Sequence, residues 1–428
     1  MPSPERARRF LGPAVAVLVA AQLLALGAWS SFAPPADLAA GDRPAPRPPL
    51  TAPPATDAAP PSTTATTAPP APSTTAAAPP TTVRRPTTTA IAAPTTVAPP
   101  ATTAPLPTVP TTDPPATGPM ALGSVDATGP AGGGCPAGST CWRATVSCPE
   151  VPAAEATVAV HPADGATRGV LVLFSGGRGD NWWEDGHVAG SGAGAPVVAE
   201  LARGGLETVQ VRWSGGFSAT PEGSSPGFAR LACRSATAVA WLRAWRYEPV
   251  AGGPAGGGPC GFCVSGNSGG ASQAAWALTH FGLDPLVDGL LLTSGPPHAA
   301  IDKGCLRRPG ESAYWYDEGT AVDFDRTYGA GRSGNGPCAG HDGGSAARFR
   351  RDGIATGGAD YAWGATAVTF LLGDADPTVA PAHARDLADR LGAAGTPATV
   401  RVVAGMGHEV VASPAGRAAF VGVVLGRL

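Results

Sequence analysis

The chain has 428 residues, a net charge of −3 at pH 7 and only 14% charged residues. Its charges are scattered, with no long acidic or basic tail, so the composition argues against nucleic acid as a partner. The length exceeds that of one ordinary domain, but the composition is uneven. Low-complexity proline clusters all precede about Ala131, whereas the later part is rich in glycine, tryptophan and runs of valine and leucine.

Residues 1–32 predict either an export signal or a membrane anchor. Arg6, Arg8 and Arg9 precede an apolar run from Leu11 to Trp29, which is the order of a signal peptide. The run is also about long enough to span a bilayer, which takes roughly 20 residues. Both alternatives stay open, and both place the rest of the chain outside the cytoplasm because the arginines stay inside. We therefore expect a secreted or membrane-anchored protein.

Residues 33–130 predict a disordered linker. This segment consists mainly of proline, threonine, alanine and serine, and such a composition cannot bury enough apolar surface to offset the entropy of ordering. Its prolines favour an extended, semi-rigid spacer. We expect a stalk that holds the following domain away from a membrane or cell wall, and no chemistry within it.

The cysteines predict disulfides rather than a redox or metal site. An even number in an exported chain is typical of a disulfide framework, although the pairing cannot be deduced from sequence. Cys260 and Cys263 have the spacing of a redox motif, but the second one lies inside a predicted strand instead of opening a helix. All eight cysteines fall in the later part of the chain: Cys135, Cys141, Cys148, Cys233, Cys260, Cys263, Cys305 and Cys338.

Residues 131–428 alternate apolar strand patterns with helical patterns, and they predict one α/β domain with a mainly parallel, doubly wound sheet. The predicted strands are 169–174, 207–213, 262–265, 288–294, 367–373 and 398–404. The predicted helices are 228–245, 270–281 and 381–395. The long connection at 295–365, with two cysteines and an aromatic cluster, predicts an ordered, lid-like insertion.

A serine lies between the strand and the helix of 262–281, in the pattern Gly266-Asn267-Ser268-Gly269-Gly270. A serine at a sharp strand-to-helix turn is held out above the sheet edge, and small residues two positions away let strand and helix approach. The start of the helix also brings a positive potential to the serine. The pattern occurs by chance in a chain with 59 glycines, so its meaning depends on further residues.

An acid and a histidine follow later strands in the order that an activated serine requires. A serine hydroxyl becomes a nucleophile when a base takes its proton and a carboxylate orients that base. Asp374 and Asp376 both follow the strand at 367–373, and we favour Asp376. His408 follows the last strand in a glycine-rich loop, whereas His298, just past another strand end, is a weaker competitor.

The loop Ser175-Gly176-Gly177-Arg178-Gly179 follows the first predicted strand of the domain. Backbone N–H groups from Gly177 and Gly269 are the candidates for stabilising an oxyanion, and each such donor contributes roughly 2.7–4 kcal/mol. A tight turn without that role is the alternative for the loop. Trp182 and Trp183 either wall the pocket or belong to the core.

From about Ala154 to Leu428 the chain resembles the α/β-hydrolase superfamily, through "GNSGG", "GDADPTV", "GMGHEV" and "FSGGRG". The resemblance implies a Ser268–Asp376–His408 triad and hydrolysis at a carbonyl, with no metal or cofactor. Two departures are Ser175, where many members have histidine, and Asn267 before the serine, where a larger residue is frequent. In general type the chain is similar to secreted bacterial esterases and cutinase-like enzymes.

The leading hypothesis is a secreted or surface-tethered serine hydrolase that cleaves a small-molecule or lipid carboxylic ester. The same site suits an acyltransferase acting at the cell envelope, or a peptidase. A third alternative is a non-catalytic binding protein on a hydrolase scaffold, and the complete set of Ser268, Asp376 and His408 argues against it. The identity of the substrate and the oligomeric state do not follow from the sequence.

Overall fold

A mostly parallel sheet of nine strands organises the described part of the computed structural model, which comprises residues 118–131, 133–186, 188–251, 260–331 and 334–426. The predicted hydrophobic segment at 1–32 and most of the predicted linker at 33–130 lie outside these ranges. Within the described ranges, no helix is both long and apolar enough to cross a membrane.

The strands run, in chain order, β1 Ser124–Thr128, β2 Thr140–Cys148, β3 Val151–His161, β4 Gly169–Phe174, β5 Leu206–Trp213, β6 Phe262–Asn267, β7 Gly289–Thr293, β8 Ala367–Gly373 and β9 Ala398–Val403. Their spatial order is β1-β2-β3-β5-β4-β6-β7-β8-β9. The pairs β1–β2, β2–β3 and β3–β5 are antiparallel, and the remaining five pairs are parallel. The carboxyl ends of β4 to β9 therefore lie at one edge of the sheet.

All six predicted strands are present, as β4 to β9, and a mixed α/β architecture is confirmed. The antiparallel strands β1, β2 and β3 were not predicted, and β1 precedes residue 131, where the predicted domain begins. Their sequences contain much alanine and a proline, which are weak strand formers. They form strands because alternate side chains, such as Val146 and Val158, are buried against the core.

The helices of the described ranges are α1 Ala195–Arg203, α2 Phe228–Leu231, α3 Cys233–Leu242, α4 Glu248–Ala251, α5 Gly269–Thr279, α6 Ile301–Leu306, α7 Glu318–Thr327, α8 Ala346–Asp352, α9 Ala380–Ala393 and α10 Pro414–Val424. The three predicted helices correspond to α2 with α3, to α5 and to α9. Three of the helices, α6, α7 and α8, lie in the connection at 295–365 that was predicted to be an ordered insertion.

The helices cover both faces of the sheet. Alternate residues of β4 point to opposite sides, so Val172 and Phe174 belong to one buried cluster with residues of α3, α5 and α9, whereas Leu171 and Leu173 belong to a second cluster with residues of α1 and α10. Every residue of α5 is buried. A sheet covered on both faces leaves its strand ends as the place where polar chemistry can meet solvent.

The eight cysteines form four disulfides, as the sequence predicted. The pairs are Cys135–Cys141, Cys148–Cys233, Cys260–Cys263 and Cys305–Cys338. Cys263 lies within β6. The disulfide to Cys260 therefore lies at the start of a strand and not at the start of a helix. Cys305–Cys338 links α6 to the segment after α7 and thereby closes a loop within the insertion.

Candidate active site

Ser268 occupies a strained turn between β6 and α5. Its backbone has φ 53° and ψ −118°, a conformation that non-glycine residues rarely adopt and that persists only when the surroundings enforce it. The amide of Ser268 donates a 2.9 Å hydrogen bond to the carbonyl of Thr293 at the end of β7. This bond and the start of α5 hold the turn, and the serine remains partly accessible at the sheet edge.

The glycines around Ser268 are required by close backbone contacts. A Cβ on Gly266 would lie 2.2 Å from the carbonyl carbon of Gly270, and a Cβ on Gly270 would lie 2.1 Å from the Phe174 oxygen. A Cβ on Gly269 would lie 2.0 Å from the Gly177 oxygen. The small residues of the motif therefore let α5 pack directly on β4, β6 and the loop after β4, as the sequence pattern predicted.

Asp376 and His408 are hydrogen-bonded to each other. Asp376 lies in the turn after β8 and His408 in the loop after β9, and the distance from His408 Nδ1 to Asp376 Oδ2 is 2.9 Å. The Asp376 side chain is fully buried and 17% of the His408 side chain is exposed. An ionised carboxylate only accepts hydrogen bonds, so Nδ1 carries the proton, and Nε2 of the neutral ring is left as an acceptor.

The ionisation state of Asp376 fits this arrangement. Burial alone would raise the pKa of Asp376, but hydrogen bonds from His408 and Thr378 outweigh that effect and hold the pKa below its ordinary value. The carboxylate is therefore ionised at neutral pH. Asp374, the alternative acid, is exposed and accepts a 2.8 Å hydrogen bond from the amide of Gly405, so it stabilises the turn after β9.

Two further contacts hold the histidine loop, and no sequence motif signals either of them. Thr378 places its hydroxyl 3.2 Å from His408 Nδ1, and its amide donates to Asp376. Asn267, the residue before Ser268, donates from Nδ2 to Glu409 at 2.7 Å. Because Glu409 directly follows the histidine, this bond joins the serine turn to the His408 loop.

Gly177 and Gly269 lie together beside Ser268. Gly269 is the first residue of α5, and the first amides of a helix have no partner within the helix. Gly177 has φ 58°, a conformation that suits glycine, in the turn closed by the Gly179 amide and the Gly176 carbonyl. Both residues line the same cavity as Ser268 and His408. The two glycines predicted to supply oxyanion donors are thus brought to one place.

The two tryptophans after this loop belong to the core. Trp182 donates from its ring nitrogen to the carbonyl of Gly134, and Trp183 packs on Phe420 with ring centroids 4.9 Å apart. Both are almost fully buried. Ser175 occupies the position where histidine is frequent in the superfamily that the chain resembles. Its hydroxyl donates a 2.7 Å hydrogen bond to the carbonyl of Asn181 and so holds the loop.

A cavity of about 530 Å³ opens over these residues. Pockets for small ligands usually measure about 300–1,000 Å³. Besides the site residues named above, it is lined by Arg178, Phe217, Ser218, Phe228, Pro297, His298, Trp315, Tyr316, Asp317, Thr320, Asp323, Phe324, Pro377, Val379 and Ala380. The part from Pro297 to Phe324 comes from the insertion. The cavity is therefore bounded by the sheet edge on one side and by the insertion on the other.

The strand order and the placement of the serine after β6, the acid after β8 and the histidine after β9 agree with the resemblance to the α/β-hydrolase superfamily. Neither a protein-family model nor a curated protein matches this sequence.

Several solved structures of hydrolases are similar to the chain at low sequence identity. A bacterial heroin esterase is 17% identical over 68% of this chain and 83% of its own, with a TM-score of 0.44. A hyperthermophilic esterase from the archaeon Pyrobaculum calidifontis is 18% identical over 66% and 83%, with a TM-score of 0.42. A puromycin-hydrolyzing peptidase from Mycobacterium tuberculosis is 16% identical, with a TM-score of 0.42. This chain covers 40% of that peptidase, and 67% of this chain is covered.

Proposed function

We propose that the protein is a serine hydrolase that cleaves carboxylic esters through Ser268, His408 and Asp376. One observation carries the proposal: the buried carboxylate of Asp376 accepts a hydrogen bond from Nδ1–H of His408, beside a cavity that also holds the strained serine turn. This arrangement turns the unprotonated Nε2 of the histidine into the base that a serine needs.

In the proposed reaction, the Ser268 hydroxyl attacks the ester carbonyl while His408 Nε2 takes its proton. The carbonyl oxygen becomes an oxyanion, which the amides of Gly177 and Gly269 stabilise. Collapse of this intermediate breaks the bond to the alcohol oxygen, which takes the proton from His408, and leaves the acyl group on Ser268. A water molecule then loses a proton to His408 and attacks the acyl carbonyl. The bond to Ser268 Oγ breaks, Oγ takes the proton back from His408, and the carboxylic acid leaves.

The environment of the domain supports a location outside the cytoplasm. Four disulfides within the described residues are compatible with an oxidising compartment, where such bonds persist. With the predicted signal or anchor at 1–32 and the predicted linker at 33–130, whose last part instead contains β1, we propose a secreted or surface-tethered enzyme. The insertion at 295–365, which supplies one side of the cavity, is proposed to act as its lid.

Rapid-mixing kinetics with p-nitrophenyl acetate and butyrate tests the proposal on the full chain. We expect a burst of nearly one p-nitrophenol per protein molecule, because p-nitrophenol is a good leaving group and the acyl-enzyme forms faster than it is hydrolysed, and we expect no burst from Ser268→Ala. Ser265→Ala is the matched control, since Ser265 lies in β6 and its hydroxyl donates to the buried carbonyl of Leu291. A folded protein whose turnover survives Ser268→Ala would refute the proposal.

The same preparation distinguishes the alternatives that share this site. Release of product from peptide or anilide substrates at rates above those for esters would make the protein a peptidase. Transfer of the acyl group to added alcohols in preference to water would make it an acyltransferase. We expect ester hydrolysis to dominate.

A further inference from the structure

His298 forms part of an aromatic wall of the cavity. Its ring stacks on Phe324 with centroids 4.7 Å apart and planes 8° apart, and its centroid lies 4.7 Å from that of Phe228. Trp276 packs behind it, with centroids 5.0 Å apart. Phe217, Phe228, His298 and Phe324 all line the cavity. A ring held on several sides by other rings has a defined orientation, so its polar atoms point in fixed directions.

The hydrogen bonds of Ser272 determine which nitrogen of His298 carries the proton. The Ser272 hydroxyl lies 2.6 Å from His298 Nδ1 and also accepts, at 3.4 Å, from the backbone amide of His298. Ser272 is fully buried, and a buried hydroxyl proton needs an acceptor. Of these two partners the backbone amide can only donate, so the hydroxyl donates to Nδ1. The Nε2 of the ring therefore carries the hydrogen.

His298 stays neutral over the physiological pH range. Burial is the main cause that lowers the pKa of His298, to about 3, and the electrostatic effect of His383 is the second cause. The cavity thus contains two histidines of opposite tautomer. Nε2 of His408 can accept a proton, whereas Nε2–H of His298 can donate a hydrogen bond. Ser272 lies one turn of α5 after Ser268, and its amide donates to the Ser268 carbonyl, so the donor belongs to the same cavity as the proposed nucleophile.

We propose that Phe217, Phe228, Phe324 and His298 form a subsite for an aromatic or cyclic apolar group that bears a hydrogen-bond acceptor. The three phenylalanines provide apolar contact for the ring, and Nε2–H of His298 donates to an oxygen on it. The proposal rests on the proposed ester hydrolysis, because it names the class of ester that the enzyme prefers. His298 is then a specificity-determining residue with no part in the proton transfers of Ser268.

Matched substrates that differ by one oxygen test this subsite on the full chain. In the acyl series, p-nitrophenyl 3-(4-methoxyphenyl)propanoate is compared with its 4-ethyl analogue. In the alcohol series, 4-methoxybenzyl acetate is compared with 4-ethylbenzyl acetate. In one of the two series we expect kcat/KM to favour the ether by about 10-fold, the effect of one neutral hydrogen bond. The series that shows the preference identifies the part of the ester bound in the subsite.

Variants of His298 decide whether this residue causes the preference. His298→Phe keeps an aromatic ring against Phe324 without a donor, and we expect the ether-to-ethyl ratio to fall to about one. His298→Gln restores an N–H group near the position of Nε2, and we expect it to recover part of the preference. A ratio near one in both series for the wild type, or an unchanged ratio in His298→Phe, would overturn the proposal.

Two measurements that need no turnover separate this inference from the proposed function. In ¹⁵N-histidine spectra of the full chain we expect His298 to be protonated on Nε2, with the assignment made by loss of the signals in His298→Phe. Protonation on Nδ1 would overturn the proposal. If no ester is hydrolysed, calorimetric binding of the matched acids and alcohols tests the subsite directly, and a preference of about 10-fold for the ether would support it without catalysis.

Discussion

The sheet edge and the insertion at 295–365 bound the same cavity but are held by different kinds of interaction. At the sheet edge, backbone contacts decide the geometry: Gly266, Gly269 and Gly270 leave no room for a Cβ. In the insertion, buried side chains decide it, among them Asp352, whose carboxylate accepts from the amide of Phe228, and the disulfide Cys305–Cys338. We infer that the sheet edge governs reaction chemistry and that the insertion governs stability and choice of substrate.

The largest effect should come from the acid of the sheet edge. Asp376→Asn replaces the acceptor of the His408 Nδ1 proton by an amide that can also donate, which favours the wrong tautomer. We expect kcat to fall by about 10⁴-fold, as for the equivalent change in other serine hydrolases. Steady-state kinetics with p-nitrophenyl acetate measures this.

Asp374→Asn is the matched control, because Asp374 lies in the same turn and contacts Gly405 rather than His408. We expect its kcat to stay within about threefold of the wild type, since an asparagine oxygen still accepts one neutral hydrogen bond. A larger loss in Asp374→Asn than in Asp376→Asn would transfer the acid role.

Backbone packing at the sheet edge should tolerate no added methyl group. In Gly270→Ala the new Cβ would lie 2.1 Å from the Phe174 oxygen, so the start of α5 must move away from β4. We expect a loss of about 4 kcal/mol in the free energy of unfolding, at the high end for a single substitution. Urea unfolding followed by circular dichroism measures it.

Gly392→Ala is the comparison variant for Gly270→Ala, in another helix that packs on the same sheet. Gly392 lies in α9 with open space around its Cα, so alanine should stabilise the domain by about 0.5–1 kcal/mol. Equal unfolding free energies for the two variants would show that backbone contact does not determine the serine turn.

The disulfide of the insertion should matter for stability more than for chemistry. Cys305 and Cys338 are 33 residues apart, and opening a loop of that size costs about 3–4 kcal/mol in the chain-entropy view. We expect the double variant Cys305→Ser/Cys338→Ser to unfold at lower urea concentration and to bind substrate less tightly. Reaction of Ser268 with a small organophosphorus reagent should proceed at a rate close to that of the wild type, and a rate reduced by orders of magnitude would contradict the division between the two regions.

A smaller, pH-dependent effect should come from Asp352. Burial raises the pKa of Asp352 to about 6, against the opposing charges of Arg351 and Arg348. The folded protein therefore keeps a proton that the unfolded chain releases between about pH 4 and 6. The stabilisation by this group is complete below about pH 4 and is lost as the pH rises through 6.

Asp352→Asn should remove that slope and leave unfolding free energies between pH 4 and 7 more nearly constant. An asparagine oxygen can still accept from the amide of Phe228, so the contact is retained. The exposed Asp389→Asn is the matched control and should leave the slope unchanged. An identical slope in all three proteins would show that Asp352 does not titrate in this range.

The difference between the two regions also explains what could be predicted from the sequence. The strands β4 to β9 are nearly continuous apolar runs, and Ser268, Asp376 and His408 follow three of them in chain order. Local sequence patterns are therefore sufficient to predict these strands and to select the three candidate residues. The strands β1 to β3 contain alanine and proline, and their burial comes from partners distant in the chain.

The contacts that refine the site lie between residues far apart in sequence. Asn267 forms a hydrogen bond with Glu409, and Ser272 forms one with His298. No local sequence pattern predicts either pair. The insertion likewise shows only weak periodicity of apolar residues. It is held by contacts between distant residues, such as that of Asp352 with Phe228. Such polar contacts depend on tertiary geometry, which neither periodicity nor motif spacing describes.

Covalent labelling with a fluorophosphonate tests whether Ser268 is a nucleophile activated by His408. The full chain would be labelled at neutral pH and digested, and the modified peptide mapped, with His408→Ala as the control that removes the base. We predict a single adduct on Ser268 that forms rapidly in the wild type and at least about 10³-fold more slowly in His408→Ala. Absence of the adduct in folded protein, or equal rates in the two proteins, would show that His408 does not activate Ser268 as a nucleophile.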